Sequence, residues 1–129
     1  MVENIQGKME NIGKSGCYFL CLLYVTNNLP NALPLYDKFV DKCYMDKDCF
    51  IRDPLSIMRD LTGKKYNVFK SEKFEKTADV RIAYFYNKTT GLHHFVVVDK
   101  YNTVQYDPLG ASNTVKNGVV ESYRLFFEV

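Results

Sequence analysis

Three side chains in this sequence could together do nucleophilic chemistry: Cys17, His94 and Asp107. Cys17 follows Ser15-Gly16 and opens the apolar run Cys17-Tyr-Phe-Leu-Cys-Leu-Leu-Tyr-Val25. With Ser15 as N-cap, the sulfur belongs to the first turn of a helix, where backbone N–H groups and the helix dipole stabilise a thiolate and lower its pKa. Gly16, lacking a side chain, lets another group approach that sulfur. His94 lies in His93-His-Phe-Val-Val-Val98, and Asp107 directly follows Thr103-Val-Gln-Tyr106. A hairpin with a two-residue turn at Lys100-Tyr101 sets His94 opposite Asp107 on one sheet face, their Cβ atoms roughly 4.5–5.5 Å apart. At that range a carboxylate holds one imidazole nitrogen and orients the other toward a nucleophile. A three-residue turn, which Tyr101-Asn102 would support, slips the pairing by one and spoils the arrangement. His93 lies on the reverse face.

The elements that must position these residues follow from periodicity. Residues 1–16 are polar, rich in Asn, Gly and Lys, and read as an irregular lead-in. Cys17 to about Thr26 reads as a helix, apolar all round and therefore buried on most sides. A second helix is expected from Leu33 to Tyr44 with Leu35, Phe39 and Val40 inward. A third has Asp53 as N-cap, Pro54 in its first turn, Leu55, Met58 and Leu61 as its stripe and Gly63 as its stop. The second half changes period. Tyr66–Phe69, Val80–Tyr86, His93–Val98, Thr103–Tyr106 and Val119–Val129 are β-branched and aromatic segments separated by turn residues. The expected fold class is α+β: N-terminal helices, the buried one carrying the cysteine, packed on a C-terminal antiparallel sheet in a single domain spanning 1–129. Gly110 to Gly118 reads as a loop following Asp107, either a rim for a cleft or a long connection.

Composition bounds the function. The chain has 129 residues, with 47% hydrophobic and 25% charged, an ordinary globular balance that excludes disorder. A net charge of +2, from 17 basic and 15 acidic residues, argues against a nucleic-acid-binding surface. No run approaches the roughly eighteen apolar residues of a membrane span. Glu3 and Glu10 stand where an export signal would be basic, so Cys17, Cys21, Cys43 and Cys49 are expected as reduced thiols in the cytoplasm. Their spacings do not repeat a zinc knuckle, and the Asp46/Asp48 stretch lacks the glycine and terminal glutamate of a calcium loop. No metal or cofactor is expected. Taken singly, each candidate has a bland reading: Cys17 and Cys21 as small core residues, His94 as a core-edge histidine, Asp107-Pro108 as a turn. The functional case rests on their coincidence.

Gly16-Cys17 opening an apolar helix, a late His-Phe-Val-Val-Val strand and a following strand ending Tyr106-Asp107-Pro108 together resemble the papain-like cysteine peptidase group. The likeness is to its small bacterial branches, the bacteriocin-processing peptidases and the cell-wall amidases and endopeptidases. The sequence is also similar to an uncharacterised family of short proteins from spirochaete plasmids and prophages. The resemblance implies a papain-like fold, a Cys17 nucleophile, His94 as base, Asp107 orienting the imidazole and an acyl-enzyme route for cleaving an amide bond in peptidoglycan or in a protein or peptide. A wall substrate would imply work in the periplasm or cell wall. That group usually has a glutamine several residues before the cysteine, whose amide joins the nucleophile's backbone N–H in stabilising the oxyanion. Here Asn11 stands at that spacing and Gln6 lies five residues farther back. Losing one such donor typically costs ~10²–10³ in rate. The departure leaves a second reading open, a non-catalytic papain-like binding or accessory protein with a degenerate site.

Overall fold

A computed structural model describes residues 5–129, which fall into two compact units, one up to Lys64 and one from Lys65 to Val129. The first contains α1 (Ile5–Ser15), α2 (Cys17–Val25), a 3-10 turn (Leu29–Asn31), α3 (Ala32–Asp41) and α4 (Pro54–Thr62). The second contains β1 (Tyr66–Ser71), β2 (Val80–Asn87), β3 (Leu92–Val98), β4 (Val104–Tyr106), α5 (Asn113–Asn117) and β5 (Val119–Glu128). Helices precede an antiparallel sheet of order β1-β5-β2-β3-β4, so the chain is α+β.

In the helical unit, α2 buries Phe19, Cys21, Leu22 and Leu23 completely, as expected of a helix without a polar face. The α4 punctuation also holds. Asp53 accepts the Ser56 N–H at 3.0 Å, Pro54 opens the helix, and Gly63 closes it at φ 73° with its N–H on the Arg59 carbonyl. Its buried stripe is rotated from the expected one: Ile57 and Met58 are fully buried, while Leu55 and Leu61 are half-buried. α3 stops before Tyr44 because Cys43 adopts φ 62°, allowing the Tyr44 N–H to reach the Phe39 carbonyl. A cysteine in a position usually taken by glycine carries no sequence signal. Tyr36 and Phe39 are the buried residues of α3, with Leu35 and Val40 half-buried.

The polar lead-in is a correction: from Ile5 to Ser15 it is a helix. Gly7, Gly13 and Asn11 depress its intrinsic propensity, so the segment gives no helical signal by itself. Tertiary partners supply what propensity lacks. Ile12 is buried, and Lys8 Nζ sits 2.7 Å from Asp37 Oδ1 on α3. Residues 1–4 of the expected lead-in lie outside the described residues.

In the sheet unit, Ala78, Ala83, Val96, Val98, Tyr123 and Leu125 form a core cluster, with Val115 of α5 packed against it. Gly110–Gly118, expected as a loop, contains α5, with Ser112 as N-cap accepting the Val115 N–H at 3.3 Å. Five residues are too few to display a period. Asn87 is buried and turns the β2–β3 hairpin, accepting the Thr89 N–H at 3.0 Å. Among the described residues, no helix is long and apolar enough to cross a membrane.

Candidate active site

His94 and Asp107 meet. Nε2 of His94 lies 2.6 Å from Oδ1 of Asp107, and the two side chains are only 5% and 4% exposed. The route differs from the expected two-residue turn. The connection is the longer Lys100-Tyr101-Asn102 turn, with Asn102 at φ 64° and the Asp99 N–H on the Thr103 carbonyl. Val98 therefore pairs with Val104, a one-residue slip from the expected register. A second irregularity follows at once, because Val97 pairs with Tyr106 and Gln105 is the extra residue on β4. One slip alone would have turned Asp107 to the wrong face; two restore it. Continued by one residue, the register sets Asp107 across from Val96, which shares its face with His94. The carboxylate reaches His94 diagonally, a span that longer side chains bridge.

Asp107 lies just beyond the end of β4, so a turn holds it in place of a ladder. Its carbonyl accepts the Gly110 N–H at 2.8 Å, and Gly110 takes φ 85°. Oδ1 also accepts the Leu109 N–H at 2.9 Å, while Oδ2 accepts the Ser112 N–H at 3.1 Å. Burial, the largest single influence, pushes the carboxyl pKa up. The hydrogen bonds from His94, the Leu109 and Ser112 N–H groups and the Ser112 side chain outweigh it and hold the carboxyl below its ordinary value. Asp107 is thus an anion at neutral pH, and it accepts from Nε2–H of the imidazole. That tautomer makes Nδ1 the basic nitrogen of His94.

Leu109 and Ser112 were not among the sequence candidates. Their signals were present in Asp107-Pro-Leu-Gly110, an aspartate-led turn, and in a serine preceding Asn-Thr-Val.

On the helical unit, Cys17 is the first residue of α2 and is partly exposed. Its N-cap is Gly16; Ser15 ends α1, so the serine cap is corrected. The reason for the glycine also changes. Gly16 donates its N–H to the Ile12 carbonyl at 2.9 Å, and a Cβ there would lie 2.3 Å from that oxygen and 2.9 Å from Ile12 Cα. Only glycine lets α2 begin directly off the last turn of α1.

The two amides considered for the oxyanion are spoken for. Asn11 Nδ2 donates to the Lys47 carbonyl at 3.2 Å. Gln6 Nε2 lies 3.4 Å from Glu10 Oε1 on an exposed part of α1, ten residues or about 15 Å along the helix from Gly16. The structure does not bring Gln6 to Cys17.

His93 is on the other face of β3. Its ring stacks on Tyr84 and Tyr86 at centroid distances of 4.8 and 4.6 Å, and Nε2 contacts Glu121 at 3.2 Å. The cysteines carry thiols, Cys21 and Cys49 buried and Cys43 exposed. Among the described residues, no group of three or more His, Cys, Asp or Glu side chains is placed to hold a metal ion.

A family model described as a protein of unknown function, DUF261, matches residues 2–128, and the chain belongs to that family. Searches of the curated proteins and of the solved structures return no match.

Proposed function

We propose that this DUF261 chain is a cysteine-dependent hydrolase of amide or peptide bonds, papain-like in its arrangement, with Cys17 as nucleophile, His94 as general base and acid, and Asp107 as the residue that positions His94. The observation carrying this reading is the buried 2.6 Å His94–Asp107 contact, with its carboxylate gripped by two further backbone donors. A buried carboxylate, even when hydrogen-bonded, adds little net stability over apolar residues of similar size, so stability gives no reason for the pair. It does what a catalytic histidine needs: it fixes one tautomer and stabilises the imidazolium that forms when the thiol gives up its proton.

The reading requires the Cys17 sulfur to meet Nδ1 of His94. The thiolate, favoured at the head of α2, attacks the substrate carbonyl, and the Cys17 backbone N–H stabilises the oxyanion. The C–N bond breaks as the imidazolium donates its proton to the leaving amine. Water, deprotonated by His94, then attacks the thioester, releases the carboxylic acid and regenerates the thiol. The bacterial resemblance points to a peptide of peptidoglycan or a protein or peptide as substrate. The proposed compartment is the cytoplasm, where the thiols stay reduced; a wall substrate would move the work to the periplasm or cell wall.

The engaged amides of Gln6 and Asn11 favour the second reading, an accessory protein with a degenerate site, because they leave the oxyanion without the usual glutamine. Thiol reactivity separates the two. Iodoacetamide should label Cys17 well below pH 8, with buried Cys21 silent and exposed Cys43 as the in-chain comparison. Labelling of Cys17 no faster than a thiol of pKa about 8.5 would refute the nucleophile assignment.

A further inference from the structure

We infer that Ser112, together with the α5 segment it caps, is a positioning element for the His94 imidazole, acting through Asp107. The inference deepens and rests on the proposed function, and every residue it involves lies in the sheet unit.

Asp107 connects this segment to His94, and it has no ladder of its own because β4 ends at Tyr106. Its carboxylate plane must therefore be set by whatever holds its two oxygens. Oδ1 is shared between His94 and the Leu109 N–H, and Oδ2 is held by Ser112, whose N–H donates to it at 3.1 Å. Ser112 is itself fixed from the other side. It is 9% exposed, its hydroxyl accepts the Val115 N–H, and its backbone at φ −77° and ψ 145° is that of an N-cap. Val115 packs on the core cluster that includes Val96, the neighbour of His94 on the same face.

The far end of α5 is equally constrained. A Cβ on Gly118 would lie 2.1 Å from the Thr114 carbonyl oxygen and 2.7 Å from that of Tyr86 on β2. α5 is thus seated against the sheet at its exit and tied to Asp107 at its entry. A displacement at either end is passed to the carboxylate and from there to the imidazole. A shift of about 1 Å in such a group can cost on the order of 10²-fold in rate.

The φ of Ser112 suits proline, so Ser112→Pro removes the N–H donor together with the capping hydroxyl while keeping that φ, and Ser112→Ala removes the hydroxyl alone. Gly118→Ala disturbs the far end without touching Asp107. The primary readout is the His94 Nε2–H proton resonance and the ring ¹⁵N shifts, which report tautomer and hydrogen bond without any turnover. In Ser112→Pro the resonance should broaden or disappear and the tautomer become mixed, with a smaller change in Gly118→Ala. Where the wild-type chain hydrolyses an amide, kcat should fall at least about tenfold at unchanged KM. Should Ser112→Pro fail to fold, Ser112→Ala and Gly118→Ala decide by the same resonance. A folded Ser112→Pro, or in its absence both other variants, with an unchanged His94 signal overturns the inference even if Cys17 proves to be a nucleophile. A changed signal supports it even if the labelling test on Cys17 fails.

Discussion

Asp107→Asn isolates the charge of the dyad with almost no change in shape. The carboxylate answers donors at both oxygens: His94 Nε2 and the Leu109 N–H at Oδ1, the Ser112 N–H at Oδ2. An amide has one oxygen. Placed at Oδ1 it satisfies two donors, leaving its NH₂ against the Ser112 N–H; the opposite flip would strand two. The first orientation should win, so His94 keeps its tautomer while the Ser112 bond is lost. The cost is a charge-assisted hydrogen bond, about 1.5–3 kcal/mol, plus part of the penalty for an unsatisfied buried donor, about 1–3 kcal/mol. A loss of roughly 2–4 kcal/mol at pH 7 is expected in urea unfolding. The pH dependence has a definite sign. The folded-state pKa of Asp107 is lowered, so in the carboxyl titration range the folded chain binds fewer protons than the unfolded chain. Its contribution is fully present above the unfolded value, about 3.9, and is lost as pH falls through the lower folded value. The gap between wild type and Asp107→Asn should therefore close progressively below about pH 4. A gap that is absent at pH 7, or equally wide at pH 7 and pH 3, would refute the reasoning.

The two histidines should separate cleanly. His94→Ala should abolish hydrolysis and slow iodoacetamide labelling of Cys17 while circular dichroism stays native. His93→Ala should keep both activities and lose about 0.5–1.5 kcal/mol of stability with its stacking on Tyr84 and Tyr86; equal loss of hydrolysis from both would mean the wrong face of β3 was chosen. Gly16→Ala should destabilise by about 1–3 kcal/mol, because its Cβ meets backbone that cannot swing aside; an unchanged melting temperature would contradict the α1–α2 junction described.

Where an element's boundaries are written in side chains that act locally, the sequence shows them. Asp53, Pro54 and Gly63 bracket α4 because a carboxylate, a missing N–H and a positive φ each act within one turn. The β-branched and aromatic runs announce β2, β3 and β5 for the same reason. α1 was hidden because its stability comes from contacts distant in the chain, such as Lys8 with Asp37, that its own composition does not foretell. α5 was hidden by its length. The candidate residues are legible in the sequence, but the chain pairs β3 with β4 through a longer turn than the two-residue one expected to bring His94 to Asp107.

By residue type and spacing alone, this sequence determined a helical first half and a stranded second half, and it singled out a cysteine, a histidine and an aspartate as candidate site residues. Tertiary structure decided how Asp107 returns to the face of His94, through a longer turn and an extra residue at Gln105 that offset each other. It also decided which backbone groups hold that carboxylate. Strand register has a period of two, so one inserted residue reverses every side chain beyond it. The balance of such insertions is set by the whole ladder and its turns, and no single residue records it.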